Sequence, residues 1–396
     1  MLSCVAFAAA CFIQAPDYTA DLKEFIEDIR LAGAYTHQDK IDFDALQKAY
    51  EPAFRDAKTK TDVLRALEDL IGELHDFHAG LGSNDDHSPR LVPTGADIYA
   101  AWHGDTAVIE EVRPNSIAQK AGVQNSDVIL QINGKTAKAA SEEWLHVRKN
   151  DPRAAEYGLN AALAGRWDSP RKLTLKRSGK TVELSFATAA QPSFDKVLDV
   201  ENLPGGILYL RPENSLGQYK LVTEFDHHRA DILKAKRIVI DLRNTPSGGD
   251  SSVARAILGH FVRSRRAFQR HTFYEIDTNT IHDWVEYANP RYSQTPKAKV
   301  AILVDHWTGS MGEGIAIGFD ATGAGTVIGT HMAGLRGAIS GFELPVSKLH
   351  VQFPTEKIYH VDGTPREFWK PKILVQPKAG DPWMDAARRF FEASAR

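Results

Sequence analysis

A serine at the end of an apolar run is the first candidate for chemistry in this chain. Ser310 follows the strand-like run 300–304 and the small residue Gly309, and it precedes a stretch that can pack as a helix, 314–319. A strand that turns sharply into a helix presents a side chain above the sheet and points helix amides at whatever that side chain attacks. The pattern predicts a nucleophilic hydroxyl, although serine at a helix start also serves as a simple cap.

A pair of glycines after a second apolar run offers a partner for that serine. The run 237–242 is typical of a buried strand, and the loop 244–250 after it contains Gly248 and Gly249. Residues 251–258 then have the pattern of a helix start. Glycine amides at such a place can stabilise the negative oxygen that forms when a carbonyl is attacked. An ordinary turn between a strand and a helix has the same pattern.

Composition limits the classes of protein that need to be considered. The chain has 396 residues, of which 43% are hydrophobic and 25% charged, enough for two or three domains with substantial cores. A net charge of -3 gives no electrostatic footprint for nucleic acid, so no nucleic-acid partner is predicted. Only Cys4 and Cys11 are cysteines, which predicts neither a disulfide framework nor a thiolate metal site. No cofactor motif is evident either.

The N-terminus indicates a targeting segment. The apolar run 4–13 is too short to span a membrane as a helix and resembles the core of a secretory signal. Residues 1–15 are therefore predicted to be a signal segment and the protein periplasmic or secreted. Cys11 is a weak match to a lipoprotein cleavage site, which would anchor the chain by a lipid. The alternative is a packed or frayed N-terminal segment. No later run is apolar enough for a stable membrane span.

Three further regions follow, each with its own pattern. Residues 16–90 have apolar residues at helical spacing, for example Leu64, Leu67 and Leu70, which predicts a helical domain. Residues 91–190 contain short strand patterns, and residues 191–396 alternate apolar strands with helical stretches. The prediction is a multidomain α+β and α/β protein with an N-terminal helical segment, a β-rich domain and an α/β core.

The middle region resembles a PDZ domain of the bacterial protease type. The resemblance rests on the run 112–123, with its small helix and Ala-Gly turn, and on Asp127 before a strand that ends in Asn133-Gly134. Such domains add a peptide strand to a sheet edge and hold its terminal carboxylate on backbone amides. The resemblance implies a substrate-binding loop within 93–99, formed by Gly95, Ala96 and Ile98.

The order of four features carries a wider resemblance. A Leu-x-Asp-x-His segment ending at His78, the PDZ-like domain, the glycine loop, and a Thr-x-Ser-x-x-Glu turn around Ser310 follow one another. Together they resemble the C-terminal-processing, or tail-specific, serine peptidases, the family that includes the tricorn core peptidase. The resemblance implies a crotonase- and ClpP-like α/β core and a serine endopeptidase acting on protein or peptide substrates.

The resemblance also implies roles for individual residues. Ser310 would be the nucleophile, His78 the general base and Glu367 the group that orients it. The amides of Gly249 and Met311, with Gly248 nearby, would form the oxyanion hole. One branch of the family uses a lysine base, but 327–337 contains no lysine, and Arg336 stays protonated in proteins. A histidine suits the task because its unperturbed pKa lies near working pH.

Several alternatives remain open at this stage. His331 is a rival base because it lies nearer to the serine in sequence. A non-catalytic member of the same fold would bind a peptide or an apolar ligand. An α/β-hydrolase-type esterase would need a histidine after the serine, which His350 or His360 could supply. His75, Asp76 and His78, with Glu73, invite a zinc hypothesis, but their spacing is not that of the His-Glu-x-x-His motif and no metal is predicted.

Overall fold

The computed structural model describes residues 16–187, 196–275, 278–378 and 380–393. The predicted signal segment 1–15, with its candidate anchor Cys11, lies outside these ranges. Within them, no helix combines the length and the apolar character that a membrane crossing requires.

The N-terminal region is helical, as the apolar spacing predicted. Its elements are α1 Thr19–Ala32, α2 Phe43–Asp56, α3 Lys60–Gly72 and the short strand β1 Gly80–Leu81. Asp42 caps α2, and Thr59 with Asp62 forms a capping box at α3, which explains where these helices begin. Leu67 and Leu70 of α3 are fully buried, and the three helices share a core with residues 344–353 from the C-terminal region.

The PDZ-like region folds around an antiparallel sheet. Its elements are β2 Ile98–His103, β3 Thr106–Val112, α4 Ile117–Lys120, β4 Val128–Ile132, β5 Lys135–Thr136, α5 Ala137–Glu142, α6 Ala154–Ala164, β6 Arg171–Arg177 and β7 Lys180–Phe186. The strands lie in the order β2-β3-β4-β6-β7, and β5 pairs with β4. The stretch 139–170 supplies the end of α5 and all of α6. Helix α6 packs across β2.

The remainder of the chain contains two sheets and the helices that cover them. The elements are β8 Leu198–Leu203, β9 Ile207–Pro212, α7 Tyr219–His227, α8 Arg229–Lys234, β10 Arg237–Asp241, α9 Ser251–Gly259, β11 Arg266–Glu275, β12 Thr280–Ala288, β13 Lys299–Val304, α10 Met311–Thr322, β14 Thr326–Gly329, β15 Ala338–Glu343, β16 His350–Tyr359, a 3₁₀ turn Arg366–Phe368, β17 Ile373–Leu374 and α11 Pro382–Glu392.

The larger sheet positions the serine and the glycine loop. Its order is β17-β14-β13-β10-β9-β8, and β9, β10, β13, β14 and β17 run parallel. Strands β10 and β13 are buried almost throughout, which is why they appear in the sequence as continuous apolar runs. Their carboxyl ends lie side by side, and Thr245 and Thr308 form a bridge just beyond them. The glycine loop and the Ser310 turn therefore meet at one edge.

The second sheet brings the N-terminal region to the same edge. Its strand order is β1-β16-β11-β12, and β15 also pairs with β16. Strand β1 pairs with β16 through Gly80 and Gln352 and through Leu81 and Val351. This pairing fixes the segment just before β1, which carries His78. The architecture is thus a multidomain α/β fold with a PDZ-like insertion, whereas the limits 16–90, 91–190 and 191–396 stay predictions.

Candidate active site

Ser310 lies on a strained turn between β13 and α10. Its φ of 50° is uncommon for a residue with a side chain. The backbone N–H of Ser310 donates to Glu313 Oε2 over 2.8 Å, and Glu313 is fully buried. A Cβ at Gly309 would lie 2.6 Å from the carbonyl oxygen of Pro246, so only glycine fits there. These contacts hold Ser310 in an unfavourable backbone conformation. Such strained residues cluster at functional sites.

His78 contacts the serine directly. Its Nε2 lies 3.0 Å from Ser310 Oγ, and its Nδ1 lies 2.7 Å from the carbonyl oxygen of Arg336. A carbonyl oxygen can only accept a hydrogen bond, so Nδ1 carries the ring proton and donates it. Nε2 is then left with a lone pair that faces the serine hydroxyl. Hydroxyl, imidazole and carbonyl thus lie in the geometric relation that can activate a serine.

The surroundings keep His78 neutral. Burial lowers the pKa of His78 to about 3, and the positive charge of Arg366 acts in the same direction. Burial also raises the pKa of Glu313 to about 7. Its carboxylate accepts hydrogen bonds from the amides of Ser310, Gly334 and Leu335, which ties the start of α10 to the segment after β14.

The glycine loop lies against the serine. Gly248 has a φ of +65°, and a Cβ there would lie 2.4 Å from Ser310 Cβ and 2.9 Å from the amide nitrogen of Met311. The amide of Gly248 itself donates to the carbonyl oxygen of Thr245 over 3.2 Å. The amide of Met311 is in the first turn of α10, where no intrahelical acceptor exists. Met311 and Gly249 therefore stay the predicted oxyanion donors, with Gly248 shaping the space between them.

Glu367 does not take the place that the resemblance implied. In this structure the partner of His78 Nδ1 is the carbonyl of Arg336. The carboxyl of Glu367 lies beside Tyr35 and Arg366, and burial raises its pKa. Its Oε2 is buried with no hydrogen-bond partner among the described residues. A backbone carbonyl leaves no mark in the sequence because every residue has one, so no motif could have indicated Arg336.

The other histidines lie elsewhere. His331 is exposed, and the charges that affect it come from Lys370 and Glu156. His350 is exposed on β16 and faces Glu343. His360 is buried, with its Nδ1 3.0 Å from a carboxylate oxygen of Asp362 and its ring stacked on Trp369. The imidazole that the fold brings to Ser310 is that of His78, which disfavours the esterase arrangement.

The carboxylates that invited the zinc hypothesis bond to other groups. The carboxylate of Glu73 accepts hydrogen bonds from the amides of Val147 and Arg148 and from Tyr50, and Asp76 accepts one from the amide of His78. Over the described ranges, no group of three or more histidine, cysteine, aspartate or glutamate side chains is placed to hold a metal ion.

The carboxylate-binding loop predicted in the PDZ-like region is not open in this structure. The amide of Gly95 donates to Leu91 O, and the amide of Ala96 donates to Pro93 O. The carbonyl of Ala96 accepts the indole N–H of Trp307 over 2.9 Å, and Ile98 is buried. The amides of Gly95 and Ala96 are thus already used, and the loop packs against the turn that precedes Ser310.

The neighbouring sheet edge is covered as well. The side-chain amide of Asn160 on α6 makes two hydrogen bonds of 3.0 Å with the backbone N–H and C=O of Ala100 on β2. Tyr99 donates to Glu156, and Trp102 donates to the carbonyl of Ala155, each over 2.9 Å. A bound peptide strand would make the same backbone bonds that Asn160 makes. Helix α6 therefore occupies the edge of β2 where a ligand would add.

A serine on a strand–helix turn of a parallel sheet, a histidine from the preceding region and a PDZ-like insertion together form the arrangement expected of a serine-type peptidase. Comparison with known families agrees with this assignment. Residues 207–375 match Peptidase family S41, and residues 108–142 match a PDZ domain. The chain thus carries a domain of Peptidase family S41 with a PDZ domain before it, and the family resemblance inferred from the motifs is confirmed.

Two curated relatives resemble the chain at low sequence identity. The chain is 23% identical over 228 residues to the carboxy-terminal processing protease CtpA of Bacillus subtilis, a match covering 52% of this chain and 43% of that protein. It is 22% identical over 273 residues to a probable CtpA-like serine protease of Staphylococcus saprophyticus, covering 66% of this chain and 49% of that protein. The chain thus matches less than half the length of these curated relatives.

Solved structures share the fold. Mature CPAF superposes with a TM-score of 0.63 at 13% identity and covers 95% of both chains. The photosystem II D1 C-terminal processing protease superposes with a TM-score of 0.57 at 16% identity, over 96% of this chain and 99% of that one. At such identities the likeness concerns the fold alone.

Proposed function

We propose that this chain is a serine endopeptidase that hydrolyses peptide bonds in protein or peptide substrates. The observation that carries the proposal is the 3.0 Å contact between Ser310 Oγ and His78 Nε2, with Nδ1 bonded to a carbonyl. As Ser310 Oγ bonds to the substrate carbonyl carbon, its proton passes to His78 Nε2. The imidazolium then gives that proton to the leaving amine as the C–N bond breaks. Water, activated by the same nitrogen, releases the acyl group.

Charge in the intermediate would be stabilised at the start of α10. The amides of Met311 and Gly249 are the donors for the oxyanion, and the N-terminus of α10 adds its dipole. Removal of one such donor in other serine peptidases costs about 10²–10³-fold in kcat. The absence of space for a Cβ at Gly248 supports this assignment, because any side chain there would push the loop away from Ser310.

A fluorophosphonate probe tests the proposal most directly. Such probes phosphonylate only an activated serine. Mass spectrometry of the labelled full chain should locate a single adduct at Ser310, and the labelled protein should lose hydrolysis of a reporter peptide in equal proportion. A chain that binds peptides but neither reacts with the probe nor cleaves a broad peptide library would be a non-catalytic member of the fold, which would overturn the proposal.

The PDZ-like domain is proposed to gate or support the site rather than to read chain ends in this conformation. The amides of Gly95 and Ala96 bond to carbonyls within their own loop, and Asn160 covers the edge of β2. Its aromatic Tyr99 stacks on His306, with ring centroids 3.7 Å apart, in the loop that leads to Ser310. Movement of this domain would therefore shift the loop that leads to Ser310.

Matched substrates that differ only at their C-terminus separate the two roles. One peptide carries a free carboxylate and the other a C-terminal amide, with the cleaved bond far from that end. We expect kcat/KM for the two to agree within about twofold, since a lost charged hydrogen bond would otherwise be worth roughly 1.5–3 kcal/mol. A preference of tenfold or more for the free carboxylate would mean that the groove opens and captures chain ends.

A periplasmic or secreted location is likewise proposed. Its support is the signal-like run 4–13 in the sequence. The lipid anchor at Cys11 is the finer form of the same proposal.

A further inference from the structure

The base depends on a short segment whose own position must be fixed. Residues 335–337, called the 335–337 strap below, carry the Arg336 carbonyl that accepts the Nδ1 proton of His78. At Gly337 the backbone has a φ of +57°, and a Cβ there would lie 2.0 Å from the carbonyl oxygen of Glu356. The strap thus runs close against β16, in a conformation that needs glycine.

Arg366 holds the strap from the side of the core. It is 1% exposed, and its Nη2 donates to the carbonyl oxygens of Leu335, over 2.9 Å, and Gly337, over 2.6 Å. These two carbonyls flank that of Arg336. A guanidinium is a rigid planar fork, so one side chain fixes the direction of both neighbouring peptide groups. The peptide group between them has little freedom to rotate.

Asp39 holds the strap from the N-terminal region. Its Oδ2 accepts from Arg336 Nη1 over 2.8 Å, and its Oδ1 accepts from Arg336 Nη2 over 3.1 Å. The guanidinium of Arg336 also lies over the Tyr35 ring, 3.7 Å from its centroid. The same carboxylate accepts from Arg153 over 2.8 Å, and Arg153 is the N-cap residue of α6. The PDZ-like region is therefore joined to the strap through Asp39.

We propose that Arg366 and Asp39 are positioning residues for His78, which act by fixing the Arg336 carbonyl from two sides. This inference rests on the proposed peptidase function. If the carbonyl turns, the imidazole loses its orienting bond and its Nε2 moves away from Ser310 Oγ. A displacement of about 1 Å caused by a distant substitution can cost about 10²-fold in rate. Neither side chain contacts the reacting atoms, so substrate binding should be nearly unaffected.

The test uses Arg366→Met, Arg366→Lys and Asp39→Asn in the full chain. Arg366→Met and Asp39→Asn should lower kcat by about 10- to 100-fold and leave KM within about threefold. The rate of fluorophosphonate inactivation should fall in parallel, because it needs the base but no peptide subsite. Arg366→Lys keeps the charge and one donor, so it should recover part of the lost rate.

Matched controls come from ion pairs that do not touch the strap. Arg177 bonds Asp127 and the Gly122 carbonyl in the PDZ-like region, and Asp226 pairs with Arg291 in the core. Arg177→Met and Asp226→Asn should lower thermal stability yet keep kcat within about threefold, as expected for sites remote from the base. All rates are measured well below each variant's Tm.

The outcomes are distinguishable. The inference would be overturned if Arg366→Met and Asp39→Asn folded and kept the wild-type kcat and inactivation rate. In that case His78→Ala would still abolish activity, and the proposed function would stand. If His78→Ala were itself active, the proposed function would fail first. Should Arg366→Met not fold, Asp39→Asn and Arg366→Lys decide, since the first is isosteric and the second keeps the buried charge. A loss confined to KM would also contradict a positioning role.

Discussion

Ser310→Ala is expected to reduce peptide hydrolysis by about 10⁴-fold or more, because no other group can form the acyl intermediate. The fold should tolerate the change. The hydrogen bond from the Ser310 amide to Glu313 remains, and the unfavourable φ of 50° is the same for alanine. The loss is one hydroxyl and its bond to His78, worth about 1 kcal/mol.

Reporter-peptide hydrolysis, probe labelling and thermal unfolding measure the three parts of this expectation. Ser340→Ala is a matched control, since that serine lies on exposed β15 and its hydroxyl bonds the hydroxyl of Thr355, away from the site. The control should keep full labelling. Turnover by Ser310→Ala within tenfold of the parent chain would remove Ser310 from the role of nucleophile.

The sequence was most informative about the Ser310 turn and the glycine loop, because both depend on residues that are adjacent in sequence. Buried strands β10 and β13 appear as continuous apolar runs, and the loops that follow them contain Gly248 and Gly309, which permit tight turns. Because parallel strands end at one edge of a sheet, two such turns can be expected to meet there. The meeting of Gly248 and Ser310 follows from this, and the fit allows no Cβ at Gly248.

No local sequence pattern could predict that His78 lies beside Ser310. His78 is 232 positions away from Ser310, and the pairing that brings them together is a strand of two residues, Gly80 and Leu81. Only the family resemblance could indicate it. Glu367 was predicted to orient it, yet the atom that accepts from His78 Nδ1 is the carbonyl oxygen of Arg336. Sequence motifs record side chains, so a role carried by a backbone atom is invisible to them.

The PDZ-like region illustrates a different limit. Its strand and turn pattern predicted the domain, but whether its groove is open depends on what packs against β2. Helix α6 lies outside the motifs that predicted the domain, and no local pattern singles out Asn160. Its two bonds to Ala100 become meaningful only in three dimensions. Arg153, the N-cap residue of the same helix, bonds Asp39, which also bonds Arg336 of the 335–337 strap beside His78.

His78→Ala is the second large effect that we expect, with hydrolysis reduced by about 10³-fold or more because the serine hydroxyl loses its proton acceptor. In the parent chain, burial and Arg366 lower the pKa of His78 to about 3, so its neutral, active form persists well below pH 6. The rising limb of kcat/KM should therefore lie below the ordinary histidine range.

The stability of the fold, like kcat/KM, should fall as the pH is lowered. The pKa of His78 is lower in the folded chain than its ordinary value near 6.5 in the unfolded chain. Between these two pH values the unfolded chain binds more protons at His78 than the folded chain does. The contribution of His78 to stability is therefore fully present above about pH 6.5, and it is lost as the pH falls toward 3. His78→Ala removes that dependence but leaves the Arg336 carbonyl without its donor, a cost of about 1–3 kcal/mol.

His331→Ala is the control that decides between the two candidate bases. The exposed His331 should be replaceable with less than a twofold change in kcat/KM, as is usual for surface positions without a special role. pH profiles of the parent chain and both variants, measured on one reporter peptide at a temperature where all are folded, separate the possibilities. Full activity in His78→Ala with loss in His331→Ala would transfer the role of base to His331, and the 3.0 Å contact between His78 and Ser310 would then be structural.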